Sequence, residues 1–275
     1  MVPTVRRGCP QRCPSCRAGE SDMCLTGDYM EHGIKGLHGF ARDYAVSDGG
    51  FLVPLPESLN SVGVLLEPLS IVEKALLQLE RIQEARMSRW RPERALVLGA
   101  GPVGLLATAA LRLRGLEVHT VATRPACSLK ARLAEATGAE YINSSEMPLS
   151  GLEHRYDIVI EVTGNVGVAL EAQSLTRVNG VVAYLGIYRE QVASEDAGLI
   201  FTNLVLGNRV HFGSVNANRS YFEVGVRDML RMQRRWPGLM RRMITRRARP
   251  EEFEDAYSQG NEEEIKTVLD FRRKG

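Results

Sequence analysis

The stretch RALVLGAGPVGLLATAALRLRG, residues 94–115, constrains the fold of this chain more than any other. The apolar run ALVL reads as a buried strand, a Gly-x-Gly-x-x-Gly turn follows at once, and the apolar helix after it closes at Gly115. A glycine turn that leaves a strand and opens a helix is the phosphate-binding corner of a dinucleotide fold. Gly99 permits the tight turn, Gly101 lets the backbone approach a pyrophosphate, and Gly104 lets helix and strand pack closely. The helix N-terminus adds unpaired N–H groups and the positive end of its dipole.

The alternation continues on both sides of this unit. LEVHTVAT reads as the next strand, and SLKARLAEATGAEYI as a helix ending at Gly138 with a short strand after it. YDIVIEVTG, VALEAQSLTRVNG and VVAYLGIY then read as strand, helix and strand. This predicts an α/β fold with a Rossmann-type, doubly wound parallel sheet and right-handed crossovers. Residues 61–90 carry apolar positions at helical spacing, with Pro68 tolerated in a first turn. After Leu206 come a strand-like RVHFGSV and a long Arg/Met-rich helix through RMQRRWPGLMRRMITRRARP. That helix is expected to turn Met and Leu inward and leave a solvated basic face, rather than to bind nucleic acid.

The choice of dinucleotide falls at the end of the second strand. A site selective for NAD places a carboxylate there for the ribose hydroxyls. Here Thr123 and Arg124 occupy the position, and an arginine pairs with a 2′-phosphate. NADP is therefore expected, with NAD also admitted.

Four of the five cysteines, Cys9, Cys13, Cys16 and Cys24, lie within CPQRCPSCRAGESDMC at C-x3-C-x2-C-x7-C spacing. Four thiolates this close in sequence suit one tetrahedral zinc, closed to substrate and so structural. The pattern C-x3-C-x2-C also serves iron–sulfur clusters of radical-SAM enzymes. Those usually have an aromatic residue before the third cysteine, where this chain has Ser15, and zinc is expected. Cys127 reads as an ordinary thiol. The N-terminal MVPTVRRGCP lacks the apolar core of a signal peptide, and no apolar run nears the roughly 18 residues of a membrane span. A cytoplasmic protein is expected, in which clustered thiols bind metal rather than form disulfides. The net charge of +2 on 275 residues is too small to argue for nucleic acid or an anionic membrane as a partner.

A four-cysteine lobe, then EPL, then GxGPxG resembles the zinc-containing medium-chain alcohol dehydrogenase superfamily. TVRRGC, SDMC, EHGIKGLHGF, LLEPLSIVEKAL and GSVNANRSYF resemble, more narrowly, its glucose 1-dehydrogenase branch, from Thr4 to the C-terminus. The resemblance implies a partial GroES-like catalytic lobe over 1–62 with its structural zinc loop, and an NAD(P)-binding Rossmann domain over 63–213. A segment at 214–275 would return to the catalytic lobe. It implies oxidation of an aldose, chiefly D-glucose, at C1, in a homo-oligomer where the full catalytic domain is present. Cys9, Cys13, Cys16 and Cys24 match the structural zinc ligands, although the family usually has two residues, not three, between some of them. Glu31 matches a sugar-binding glutamate, and Glu67 matches a substrate-side position that approaches the catalytic zinc. Gly99, Gly101, Pro102, Val103 and Gly104 match the pyrophosphate turn. Thr123 and Arg124 fall where the family often has two arginines. Ser214, Val215 and Asn216 match cofactor contacts, with Asn216 also between nicotinamide and sugar.

One part of the family pattern is absent. The remaining ligands of the catalytic zinc are an early Cys or Asp and a Gly-His-Glu motif, which precede the cysteine lobe in the family. None of His32, His38, His119, His154 and His211 has that context. The expectation is an N-terminally truncated enzyme with impaired turnover, unless Glu31, His32, His38 and Glu67 converge on a metal. The alternatives are a non-catalytic NADP-binding fragment or subunit, and a medium-chain dehydrogenase acting on another polyol, alcohol or amino acid.

Overall fold

The computed structural model describes residues 1–152, 155–189, 197–258 and 263–271, so His154 lies outside the described residues. The chain divides into two compact units, one of Met1–Glu73 with Val215–Gly275, the other of Lys74–Ser214. Among the described residues no helix is long and apolar enough to cross a membrane.

The first unit opens with short strands: β1 (Val2–Pro3), β2 (Arg6–Arg7), β3 (Met30–His32), β4 (Gly36–Leu37) and β5 (Leu52–Val53), with helix α1 (Pro14–Arg17) between β2 and β3. β1 pairs antiparallel with β5, while β3 lies between β2 and β4. Short strands joined by glycine turns suit a segment rich in Gly, Pro and Cys, which offers few long apolar runs. FLVPLP supplies β5, whereas the apolar stretch YAVS forms no strand and leaves Tyr44 and Val46 exposed. Helix α2 (Leu66–Arg86) starts in this unit and continues into the second.

The second unit runs β6 (Arg94–Leu98), α3 (Pro102–Leu113), β7 (Glu117–Ala122), α4 (Leu129–Glu135), β8 (Glu140–Asn143), β9 (Tyr156–Glu161), α5 (Val166–Leu175), β10 (Thr176–Tyr184), α6 (Ala197–Leu206) and β11 (Val210–Gly213). The strands form one parallel sheet in the order β11-β10-β9-β6-β7-β8. The order reverses between β6 and β9, which opens a crevice at their carboxyl ends. Leu96, Leu98, Val121, Val159 and Val182 pack as its core. Ser128 and Asn165 cap α4 and α5 by accepting the N–H groups of Ala131 and Val168.

Two expected elements end early. The helix read through VALEAQSLTRVNG stops at Leu175, and Thr176–Gly180 already belong to β10. Asn179 there takes a left-handed φ of 63°, its N–H donates to Gly207 O, and its carbonyl accepts from Gln83. These bonds replace the helical ones. The basic helix likewise breaks. α7 (Arg219–Arg235) ends before Trp236–Pro237–Gly238, α8 (Leu239–Met243) follows, and ITRRA forms β12 (Ile244–Ala248). Gly238 at φ 83° makes the turn, Pro237 cannot continue the hydrogen-bond ladder, and β12 pairs parallel with β13 (Lys266–Leu269) after α9 (Phe253–Tyr257). Met229, Met232, Met240 and Met243 are buried, so the inward methionine face holds on both helices.

Candidate functional site

At the carboxyl ends of β6, β7 and β9 lies a cavity of about 610 Å³, wholly within the second unit and lined in part by Gly99, Gly101, Thr123, Arg124, Lys130 and Thr163. The glycines differ in what they allow. Gly99 has φ 113°, a conformation L side chains rarely adopt. A Cβ on Gly104 would stand 1.9 Å from the Gly99 carbonyl oxygen, so helix and turn touch only because Gly104 has no side chain. A Cβ on Gly101 would meet nothing within 4 Å, and Gly101 faces open space at the α3 N-terminus. Pro102 occupies the first turn of α3, where a missing N–H costs nothing, and Val103 follows it there. An open cradle at a helix N-terminus fits a pyrophosphate.

Beyond the turn the cavity reaches the end of β7. Tyr141 donates to the Arg124 carbonyl at 2.8 Å and Ser145 to that of Thr123 at 3.3 Å, which fixes the backbone under both side chains. Lys130 on α4 and Ser144 after β8 also line the cavity, and the one carboxylate among its described lining residues is Glu171 on α5. Lys130 and Ser144 are not legible from the motif, because loop closure alone brings them to β7. Ser214 ends the second unit, with a buried hydroxyl that has no hydrogen-bond partner among the described residues.

In the first unit the four cysteine sulfurs of Cys9, Cys13, Cys16 and Cys24 lie within 4.8 Å of one another, the one such ligand group among the described residues. A tetrahedral zinc with bonds of about 2.3 Å separates its sulfurs by about 3.8 Å. Cys9 Sγ and Cys16 Sγ are 3.8 Å apart. Backbone N–H groups of Cys13 and Leu25 donate to Cys9 Sγ and Cys13 Sγ, an arrangement that suits metal-bound sulfurs. The Thr26 hydroxyl draws the Cys24 thiol down to about 6, backbone N–H groups of Cys16 and Leu25 lower Cys13, and burial pushes Cys16 up to about 12. The donor set fits zinc. Cys127 is exposed and stands apart.

The same unit joins Glu31 and Asn216, 185 residues apart in sequence: Asn216 Nδ2 donates to Glu31 Oε1 at 2.6 Å. Arg6 Nε donates to the same oxygen at 3.0 Å, and its guanidinium stacks 3.6 Å from the Tyr29 ring centre. All three residues are buried. Arg6 is a component that spacing could not reveal, since it faces Glu31 only through the pairing of β2 with β3. Asn216 holds φ 60° and its Oδ1 accepts from the Ala217 N–H, a local bond that stabilises the left-handed backbone. Val215 beside it is exposed.

Glu67 stands in the first turn of α2, half-buried, and burial pushes its carboxyl up, partly offset by Lys266. The convergence of Glu31, His32, His38 and Glu67 on a metal does not occur among the described residues. His32 Nδ1 is bonded to the His38 carbonyl at 2.8 Å, and Glu31 is engaged by Arg6 and Asn216.

A parallel sheet with a glycine turn at its switch point, in a chain that also gathers four thiols, is the architecture of medium-chain, zinc-containing dehydrogenases. The family model described as "Glucose dehydrogenase C-terminus" matches residues 60–271, and the chain belongs to that glucose dehydrogenase family. It is 46% identical to glucose 1-dehydrogenase of Methanocella arvoryzae, over 98% of this chain and 76% of that relative. It is 44% identical to glucose 1-dehydrogenase 1 of Caldivirga maquilingensis, over 98% of this chain and 74% of the relative. The structure of Haloferax mediterranei glucose dehydrogenase in complex with NADP, Zn and gluconolactone superposes with a TM-score of 0.90 at 30% identity, over 99% of this chain and 76% of that one.

Proposed function

We propose that this chain binds NADP and one structural zinc, and belongs to an enzyme that oxidises D-glucose or a related aldose at C1 to the lactone. The observation that carries the reading is the open cradle at Gly101, in a cavity that Arg124 and Lys130 also line. Bound NADP supplies the acceptor for the hydride leaving C1. Gly99–Gly104 would hold its pyrophosphate, with Pro102 and Val103 in the helix turn beneath. Thr123 and Arg124 would hold its 2′-phosphate, and NAD would bind more weakly for want of that group. Ser214, Val215 and Asn216 read as further contacts to the cofactor. Glu31 accepts hydrogen bonds from sugar hydroxyls, and Arg6 orients its carboxylate. Cys9, Cys13, Cys16 and Cys24 would hold the zinc that orders their loop.

Turnover is a separate matter from binding. Glu67 is the catalytic-zinc ligand that the family pattern offers in this sequence, and a catalytic zinc takes about three protein ligands. We read these 275 residues as binding NADP well and oxidising glucose slowly. A homo-oligomer is supported by Leu199, Phe201, Val205 and Leu206, which stand exposed on α6.

The test is calorimetric titration with NADP and NAD, followed by glucose-dependent NADP reduction with and without added zinc. Tight NADP binding with slow turnover is the expected result. No NADP binding would overturn the reading, and fast turnover would overturn its kinetic part.

A further inference from the structure

Glu161 is the last residue of β9 and is 0% exposed. It lies in register with Leu98 of β6 on one side and Tyr184 of β10 on the other. Leu98 immediately precedes the glycine turn, and Thr163 and Asn165, just beyond Glu161, line the same cavity. All the side-chain hydrogen bonds of Glu161 are received: Oε1 accepts the Thr163 N–H at 2.6 Å and the Thr163 hydroxyl, and Oε2 accepts the Tyr188 hydroxyl. The Thr163 N–H can only donate and both hydroxyls are able to, so a carboxylate acceptor satisfies the whole set. Among the described residues no cationic side chain pairs with it, although buried carboxylates ordinarily have one.

The two segments around it are locked together. A Cβ on Gly186 would stand 2.5 Å from Gly164 N and 2.7 Å from Glu161 Oε2, and one on Gly164 would stand 2.8 Å from Ile187 O. Thr163–Asn165 and Gly186–Tyr188 therefore close over the carboxylate backbone to backbone. The fold holds a buried carboxyl group, with no cationic partner among the described residues, under the wall of the dinucleotide cavity.

We propose that Glu161 determines which redox form of the nicotinamide cofactor this site prefers, by favouring the oxidised, cationic ring over the neutral reduced one. The inference rests on the NADP reading above. A dinucleotide crosses the switch point between β6 and β9, with its adenosine half towards β7, where Arg124 stands. Its nicotinamide half then falls on the β9 side, where Glu161 is. The two redox forms share nearly every group that the protein could bind, but they differ by one positive charge on the ring. A fixed buried charge acts on that difference alone.

The test titrates NADP⁺ and NADPH separately into the whole chain, as wild type, Glu161→Gln and Tyr188→Phe, by calorimetry. Gln keeps the shape and can still accept from Thr163, but removes the charge. Tyr188→Phe removes one hydrogen bond and keeps the charge. Glu161→Gln is expected to weaken NADP⁺ binding about tenfold relative to NADPH, the scale of one partly screened unit charge in a protein. Tyr188→Phe is expected to move both affinities together. An unchanged ratio in Glu161→Gln, or a ratio shift in Tyr188→Phe as large, would overturn the proposal. Should Glu161→Gln fail to fold, Glu161→Asp keeps the charge and must keep the wild-type ratio, and a shift there would overturn it equally. Wild type that binds neither form would overturn the dinucleotide reading itself, a result distinct from intact binding with an insensitive ratio.

Discussion

Gly101 and Gly104 stand three residues apart in one motif, yet alanine at each should act through different physics. At Gly104 the new methyl would lie 1.9 Å from the Gly99 carbonyl oxygen, a backbone atom with no side-chain rotation to relieve it. An ordinary carbon–oxygen contact needs more than 3 Å, so helix α3 or the turn must move by over 1 Å. Overpacking of this kind costs about 1–3 kcal/mol, at the upper end when backbone must shift. At about 3 °C per kcal/mol for a domain of this size, Tm should fall by roughly 6–9 °C. At Gly101 the methyl meets nothing within 4 Å, and φ −74° with ψ −176° is open to any residue. Alanine there should leave Tm unchanged or raise it slightly, because the unfolded chain loses freedom. The methyl would nevertheless stand where the pyrophosphate approaches, and NADP affinity should drop at least tenfold. Differential scanning calorimetry with NADP titration reads both. Equal losses of Tm in the two variants, or a Gly101→Ala protein that binds NADP normally, would refute the reasoning.

Further outcomes follow from the other sites. Cys13→Ser should reduce bound zinc from about one per chain to near zero, read by elemental analysis after dialysis, and should loosen the 9–24 loop to proteolysis. Glu31→Gln leaves the buried Arg6 guanidinium without its counter-charge and should destabilise the chain by about 3–5 kcal/mol in urea unfolding. Asn216→Gly should be better tolerated than Asn216→Ala by about 1 kcal/mol, because φ is 60° there. His211 is pushed down to about 4 by burial first and by Arg209 second. The unfolded chain therefore binds the extra proton between about pH 6.5 and pH 4. The stability His211 contributes is present above 6.5 and is lost as pH falls through that window, and His211→Gln should flatten this part of a Tm-against-pH curve.

The parts of the molecule differ in how legible they are from sequence. The strand–turn–helix at 94–113 is legible because local chemistry decides it: apolar run, three glycines, and Pro102 in a first helical turn. The proximity of the four thiols is legible because only sixteen residues contain them. Arg6, Lys130 and Glu161 are not, since each acquires its neighbours through strand pairing or crossover geometry that no local pattern encodes. Helical periodicity misled at two places. Thr176–Gly180 and Ile244–Ala248 sit beside good helical stretches, but a left-handed Asn179 and the Pro237–Gly238 pair end those helices. The Gly207 carbonyl and the Gln83 side chain then take the backbone groups of Asn179, and β13 pairs with Ile244–Ala248.

Binding of NADP to this chain is where the account is most exposed. Titrating NADP and NAD into wild type and Arg124→Ala measures it directly. About one NADP per chain is expected, bound tighter than NAD, with the preference reduced about tenfold or more in Arg124→Ala and NAD affinity unmoved. A wild-type chain that binds neither cofactor, or one whose preference ignores Arg124, would contradict it.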